Sequence, residues 1–426
     1  MSPPFPSYDD EKIRFYYPDY LQLKLVQVIH RHGERTPVKP RLEHVIPPLW
    51  NLCHEAKEFQ TSILLFHEDE NNQNNSDNLK LSYDQFKYRR IDSHSSPSPG
   101  TCVFGQLTDI GRKSMSELGA HFRALYVDKL KFLDKNLSNN KSLFLRSTNY
   151  ARTLESLQQL VIGGLYPSQY RSDSYVLNIH TRDLYYETLH QSAKCKRLMK
   201  LIRQFNEFSK SRYESDLQYL TDKLKPIINE VKLNSNPSLN GIFDTVTAAK
   251  ANKISIPKEF TDEIVDKIDE ISTGEWFYGF YETLEMRRLA IGRFLAELRE
   301  IILSKVNNTS ETKDLKFAIY SGHDSTIAPL ITTFNAYNHR WPKFNSHLTL
   351  ELFESKEKSS FFKLFSSAQD NHYIRVKYND KILELPACQN DGQHHPNDKS
   401  LCTLKAFLSL VDSHIPKDYI QECLDK

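Results

Sequence analysis

The stretch Leu21-Gln22-Leu23-Lys24-Leu25-Val26-Gln27-Val28-Ile29-His30 runs without a break into Arg31-His32-Gly33-Glu34-Arg35-Thr36-Pro37. Leu21, Leu23 and Leu25 alternate with polar residues, and Val26, Val28 and Ile29 then make the run apolar, which is the pattern of a strand that becomes buried along its length. Such a strand must end at the rim of a sheet, because its last residues are charged. The same arrangement recurs twice. Leu143 to Leu145 leads into Arg146-Ser147-Thr148, and Phe317 to Tyr320 leads into Ser321-Gly322-His323-Asp324. Helices are expected nearby: one capped by Thr108, with an acid in its first turn; one capped by Ser147 or Thr148 and running to about Gly163; one opened by Ser325. Strands alternating with helices at both ends of the chain predict an α/β sheet layer.

The middle of the chain reads differently. From about Pro167 to Glu285 it is charged and helically periodic, as in CKRLMKLIRQFNEFSK and EFTDEIVDKIDEI. The expected architecture is a central mixed sheet flanked by helices, with an inserted, mostly helical cap. The α/β core is assigned to 15–166 and 286–426, and the cap to 167–285. A continuous helix around LEMRRLAIGRFLAELREIIL returns the chain, and NSHLTLELFE and HYIRVKYND alternate as antiparallel strands do. Residues 69–100 are polar and are expected to form a long surface loop.

Composition excludes several functions. The 426 residues carry 56 Lys+Arg against 54 Asp+Glu, a balance unlike the basic excess of nucleic-acid binders. No apolar run reaches the length of a membrane span. The N-terminus, with prolines and with Asp9, Asp10 and Glu11, lacks the pattern of a secretory leader or transit peptide, so the expected compartment is the cytoplasm, with an organelle or secretion the alternative if a leader has been removed. Six cysteines in no CxxC arrangement are read as free thiols, with Cys388 and Cys402 the pair best placed to bridge. No HExxH motif or Cys/His cluster suggests zinc, and neither metal nor cofactor is expected. The sequence is silent on oligomeric state.

Sheet ends are where ligands bind in open α/β folds. The three junctions deliver Arg31, Arg35, Arg146, His32, His323 and Asp324 there. A phosphomonoester is a dianion that repels nucleophiles, and guanidinium forks neutralise it with bidentate, charge-assisted hydrogen bonds. A neutral imidazole can attack it covalently. His32, between two arginines that disfavour its protonation, suits that role. Asp324 suits protonation of the leaving alkoxide and later activation of water, and His323 suits a hydrogen bond to the phosphoryl oxygens. Only 13 glycines occur in the chain, and Gly33 and Gly322 adjoin the two histidines, where tight backbone turns are expected.

Arg-His-Gly-x-Arg-x-Pro followed far downstream by His-Asp resembles the histidine acid phosphatases, the phosphatase branch of the histidine phosphatase superfamily. GQLTDIG at Gly105–Gly111, NIHTRD at Asn178–Asp183 and the Cys388/Cys402 pair are similar to family patches, so the resemblance spans about Leu23 to Phe407. It implies a mixed sheet with a helical cap and metal-independent hydrolysis of small phosphomonoesters through a phosphohistidine on His32. It also implies phosphate binding by Arg31, Arg35, Arg146 and His323, with Asp324 as proton donor. Two other functions compete with this reading. A mutase or sugar-bisphosphatase of the sister branch shares the Arg-His-Gly-Glu start, but Pro37 and the late His-Asp pair oppose it. A non-catalytic phosphate binder is opposed by intact His32 and Asp324. Phytate is disfavoured by Ser325-Thr326 after the His-Asp pair. Arg152 is read as a support residue, and the aromatic group Trp276, Phe277, Tyr278, Phe280 and Tyr281 as packing.

Overall fold

The computed structural model describes residues 8–54, 100–172, 175–356 and 369–424. The expected loop over 69–100 lies, except for Gly100, outside the described residues.

The described strands are β1 (Leu21–Arg31), β2 (Leu143–Ser147), β3 (Phe317–Gly322), β4 (His347–Ser355), β5 (His372–Tyr378), β6 (Lys381–Leu383), β7 (His394–His395) and β8 (Asp398–Thr403). They form one sheet in the order β2-β3-β1-β4-β5-β8-β7, with β6 paired to β5. β2, β3 and β1 are mutually parallel, and from β4 onward the pairing is antiparallel. The α-helices are α1 (Asp10–Tyr16), α2 (Asp109–Phe122), α3 (Ala151–Gln158), α4 (Lys196–Arg212), α5 (Glu214–Leu224), α6 (Leu239–Ala251), α7 (Asp262–Glu282), α8 (Leu284–Val306), α9 (Asp324–Thr333), α10 (Leu404–Ser413) and α11 (Tyr419–Glu422). This is the mixed α/β sheet flanked by helices that the alternating pattern predicts.

The period of two along β1 explains why the sheet is covered on both faces. Leu25 and Ile29 point with Ala318, Tyr320, Leu348, Leu350 and Leu352 into a core closed by α8, α9 and α10. Val26 and Val28 point the other way, with Leu143, Leu145, Phe317 and Ile319, against Met115, Leu118 and Phe122 of α2 and Leu157 of α3. Burial of each such side chain stabilises the fold by roughly 1.5–3 kcal/mol. Gln27, on the first face, is buried but satisfied: its Nε2 donates to the Leu298 carbonyl and its Oε1 accepts from Tyr320. A third core lies among α5, α6 and α7, where Leu220, Leu224, Ile242, Val246, Ile264 and Ile268 meet Leu42, Ile46 and Trp50 from the chain after β1.

Three local expectations change. The helix after β2 starts at Ala151 with Tyr150 as its N-cap, because Ser147 completes the strand and Thr148 is drawn into the site described below. The helix after β3 starts one residue before Ser325. Its N-cap is His323, whose backbone N–H donates to Thr326 Oγ1 at 3.0 Å. In the middle of the chain, α4 to α7 occupy Lys196–Glu282, while the described residues between Pro167 and Cys195 contain no α-helix and one 3₁₀ turn, Ser168–Tyr170.

The thiol expectation is overturned. All six cysteines are paired: Cys53–Cys102, Cys195–Cys423 and Cys388–Cys402. Only the last is foreseeable as a short loop. The other two join residues 49 and 228 positions apart, and a sequence does not measure how near such residues come.

Candidate active site

The parallel register places three strand ends side by side. Ser147 of β2 pairs with Ser321 of β3, and His30 and Arg31 of β1 pair with Ser321 and Gly322. The residues just beyond these ends therefore converge. His32 follows β1, Thr148 and Arg152 follow β2, and His323 and Asp324 follow β3. A fourth segment, 334–346 between α9 and β4, crosses the same rim. Its Asn345 N–H donates to the His32 carbonyl, and its Ser346 carbonyl accepts from the Arg31 N–H. Phe344, from this segment, lies under the Arg31 guanidinium at 4.3 Å and beside the His32 ring at 5.8 Å.

Neither Gly33 nor Gly322 has a positive φ, and Gly33 is required by close packing. A Cβ on Gly33 would lie 2.7 Å from the Gly111 carbonyl oxygen and 2.9 Å from Met115 Cγ, and one on Gly111 would lie 2.1 Å from the Glu34 carbonyl oxygen. Glycine is needed because the catalytic loop lies directly on α2. Ser156 Oγ of α3 accepts the Gly33 N–H at 3.0 Å and fixes the loop from the other side.

His32 is buried, and its Nδ1 is 2.9 Å from the Gly33 carbonyl. A carbonyl only accepts, so Nδ1 carries the hydrogen and the Nε2 lone pair is free. Burial drives the His32 pKa well below its ordinary value, and the charges of Arg152, Arg31, Arg35 and His323 drive it further. A neutral imidazole with Nε2 exposed to reaction is the chemical form of a nucleophile.

Arg31 is buried. Its Nη2 reaches Asp324 Oδ2 at 2.8 Å, and its Nη1 donates to the Pro342 carbonyl. Arg35 Nη1 contacts Asp244 Oδ1 of α6 at 2.8 Å. Asp244 also accepts from Arg41 and from the Val38 N–H. The Nε atoms of Arg31, Arg35 and Arg152 are buried without a hydrogen-bond partner among the described residues. Buried donors left unmade are costly, and a bound oxyanion would satisfy them.

Arg146, expected to bind phosphate, is held by carboxylates. Its guanidinium is 2% exposed and is gripped by Glu187 and Glu297, with Thr188 Oγ1 at 2.9 Å. Its own Nε also lacks a partner among the described residues, but two carboxylates already neutralise the charge. Arg152, read as a support residue, lies close enough to the two histidines to act on both. It is the strongest of the charges acting on His32 and on His323, and it lies over the Tyr150 ring at 4.9 Å. Burial first, and then Arg35, lower its own pKa to about 10. The signal is present in the sequence as the Arg-Thr pair at the start of α3, shortly after Arg146. Only the late start of that helix shows which arginine faces inward.

His323 Nε2 lies 3.0 Å from Thr148 Oγ1, and its ring is 5.6 Å from that of His32. Burial and the Arg152 charge hold it neutral. Asp324 has both oxygens engaged. Oδ1 accepts the Ser325 N–H at 2.8 Å, and Oδ2 accepts from Arg31 at 2.8 Å and from Trp341 Nε1 at 2.9 Å. Burial pushes its carboxyl upward, but Arg31, Trp341, Arg35 and His323 outweigh burial and leave the pKa below the ordinary carboxylate value. Trp341 has no motif to announce it. Glu34, part of the Arg-His-Gly-Glu start, turns away to Ser114 and is held by burial above the usual carboxylate range.

A family model for the histidine phosphatase superfamily (branch 2) matches residues 22–379. A probable acid phosphatase of Schizosaccharomyces pombe is 31% identical over 455 residues, covering 96% of this chain and 95% of that protein. Human lysophosphatidic acid phosphatase type 6 is 29% identical over 418 residues, covering 95% and 86%. Among solved structures, the phytase of Citrobacter braakii superposes with a TM-score of 0.60 at 15% identity, covering 95% of this chain and all of that one. The tartrate complex of Hafnia alvei phytase gives 0.61 at 14%, covering 96% of this chain and all of that one. At such identities the superpositions establish the fold.

Proposed function

Because the chain belongs to branch 2 of the histidine phosphatase superfamily and is a histidine acid phosphatase that hydrolyses phosphomonoesters, we propose that His32 is its nucleophile, Asp324 its proton donor, and Arg31, Arg35, Arg152 and His323 its phosphate ligands. The observation that carries this assignment is the set of unsatisfied Nε donors on Arg31, Arg35 and Arg152 around a histidine whose Nδ1–H, donated to the Gly33 carbonyl, fixes the reactive tautomer.

The arginines and His323 bind the phosphoryl oxygens, and His32 Nε2 attacks phosphorus in line with the leaving oxygen. The N–P bond forms, the ester P–O bond breaks, and Asp324 gives its proton to the departing alkoxide. The product alcohol leaves. Asp324, now a carboxylate, takes a proton from water, whose oxygen attacks phosphorus and breaks the N–P bond. Positioning and charge stabilisation supply most of the rate in such transfers. In the free enzyme Arg31 and Trp341 favour ionised Asp324. A bound phosphate dianion draws on Arg31 and Arg35 and returns proton affinity to the acid when it is needed.

The mutase and non-catalytic alternatives have no observation in their favour. The partner is a small phosphomonoester. Among the described residues no helix is long and apolar enough to cross a membrane. The three disulfides favour an oxidising compartment over the cytoplasm, where thiols are kept reduced.

Hydrolysis of 4-nitrophenyl phosphate by wild type and His32→Ala tests the assignment. The variant should lose measurable turnover, and rapid quench of the wild type should trap an acid-labile, alkali-stable phosphoenzyme. Equal rates in the two proteins would sink the phosphohistidine mechanism.

A further inference from the structure

Among the contacts of α6 and α7 with the site, two act as tethers. Asp244 of α6 holds Arg35. The second tether ends on the acid itself. Trp341 Nε1 donates to Asp324 Oδ2 at 2.9 Å, and the Trp341 backbone N–H donates to Asp269 Oδ1 of α7 at 3.0 Å. The indole is wedged among Phe277 at 4.6 Å, Phe243 at 5.0 Å and Trp276 at 5.7 Å, all of them on α6 or α7. Asp269 is itself held by Thr273 Oγ1 at 2.8 Å.

We propose that Trp341 is a positioning residue for the general acid, fixing the Asp324 carboxyl on the leaving-group side and tying that geometry to α7. This rests on the assignment of Asp324 as proton donor. In-line displacement puts the leaving oxygen opposite His32, so the carboxyl must be aimed to within the tolerance of a hydrogen bond. Oδ1 is turned back onto the N-terminus of α9 by the Ser325 N–H, which leaves Oδ2 to face the substrate. When phosphate engages Arg31, Trp341 is the donor that remains on Oδ2. The charged and titratable groups facing Asp324 are Arg31 and Arg35 from the β1 end, Arg152 from α3 and His323 beside it. Trp341 carries no charge and is not among the proposed phosphate ligands, so it orients without competing for the phosphate.

Trp341→Phe keeps the ring packing and removes the donor. The test compares kcat/KM for 4-nitrophenyl phosphate, whose leaving group needs little protonation, with that for an alkyl phosphate such as 2-glycerophosphate, whose leaving group needs a full proton. The alkyl ester should lose about tenfold more than the aryl ester, the loss of one charge-assisted hydrogen bond. The limb of the pH profile on which Asp324 ionises should move to higher pH, because a donor that favoured the carboxylate is gone. Should Trp341→Phe fail to fold, Asp269→Ala removes the backbone anchor and must show the same selective loss at smaller amplitude. Equal losses on both esters, or an unmoved limb, would reduce Trp341 to a packing residue and overturn the proposal. Asp324→Ala separates the two levels. If it too fails to discriminate between the esters, the assignment of the acid is wrong rather than its positioning.

Discussion

Replacing Arg152 and Arg146 one at a time should give opposite phenotypes. Arg152 has a buried, unpartnered Nε and acts on both His32 and His323. Under the proposed assignment its contribution is made to the phosphoryl group. Two charge-assisted hydrogen bonds at roughly 1.5–3 kcal/mol each, partly offset by the relief of repulsion from Arg31 and Arg35, leave about 3–4 kcal/mol. At about 1.4 kcal/mol per factor of ten, Arg152→Ala should lower kcat/KM by about 100- to 1,000-fold. Its stability should hold or rise, since a buried cation crowded by two others is gone. Arg146→Ala strands carboxylates instead. Glu187 keeps the N–H groups of Thr188 and Leu189 at 2.7 Å each, and Glu297 keeps Arg182 at 2.6 Å. The cost should therefore sit at the low end of the range for breaking a buried pair, about 3 kcal/mol. With an unfolding entropy of about 2.1 cal/mol/K per residue over the chain, that is a fall in Tm of about 3 °C. Calorimetry and steady-state kinetics, normalised to folded protein, check both variants. A large kcat/KM loss in folded Arg146→Ala beside a near-normal Arg152→Ala would refute the placement of the third phosphate ligand.

The same geometry sets three further outcomes. Binding of a non-titrating dianion such as sulfate should take up protons at mildly acidic pH, because it offsets Arg31 and Arg35 and raises the proton affinity of Asp324. Calorimetry in buffers of differing ionisation enthalpy reads this, and Asp324→Asn should abolish it; identical enthalpies across buffers would contradict the coupling. Stability should fall as pH drops below about 6.5, because His30, His32 and His323 stay neutral in the fold while the unfolded chain protonates. His30, driven by burial to about 4, accounts for about 3 kcal/mol of that loss between pH 6.5 and 4, so His30→Gln should flatten the slope of urea midpoint against pH, and an unchanged slope would count against it. Protein purified without reductant should show no free thiol on denaturation, and mass spectrometry should recover the Cys53–Cys102 and Cys195–Cys423 peptides joined; titratable cysteines at either pair would exclude that cross-link.

What the sequence determined by itself was the chemistry and the rim. A buried strand ending in Arg31-His32-Gly33-Glu34-Arg35, with His323-Asp324 after a second strand, obliges both sets to lie at neighbouring strand ends, because apolar period-two runs leave the charges nowhere else to go. The strands and the flanking helices were legible as elements for the same reason: β1, β4 and β5 alternate, and α8 keeps an apolar face from Met286 to Ile302. What the tertiary structure decided were the quantities that depend on where an element starts and what lies across from it. The later start of α3 turned Arg152 inward and left Arg146 to the carboxylates of Glu187 and Glu297. The glycine at 33 answers to the carbonyl of Gly111, a neighbour from α2 rather than from its own loop. Trp341 reaches Asp324 because segment 334–346 crosses the rim, and no local pattern encodes a crossing. Cysteine pairing likewise needed distances across the fold. Residue type and period fix what a side chain is able to do and which face it takes; packing between distant elements fixes which arginine stands beside the histidines and which donor meets the acid.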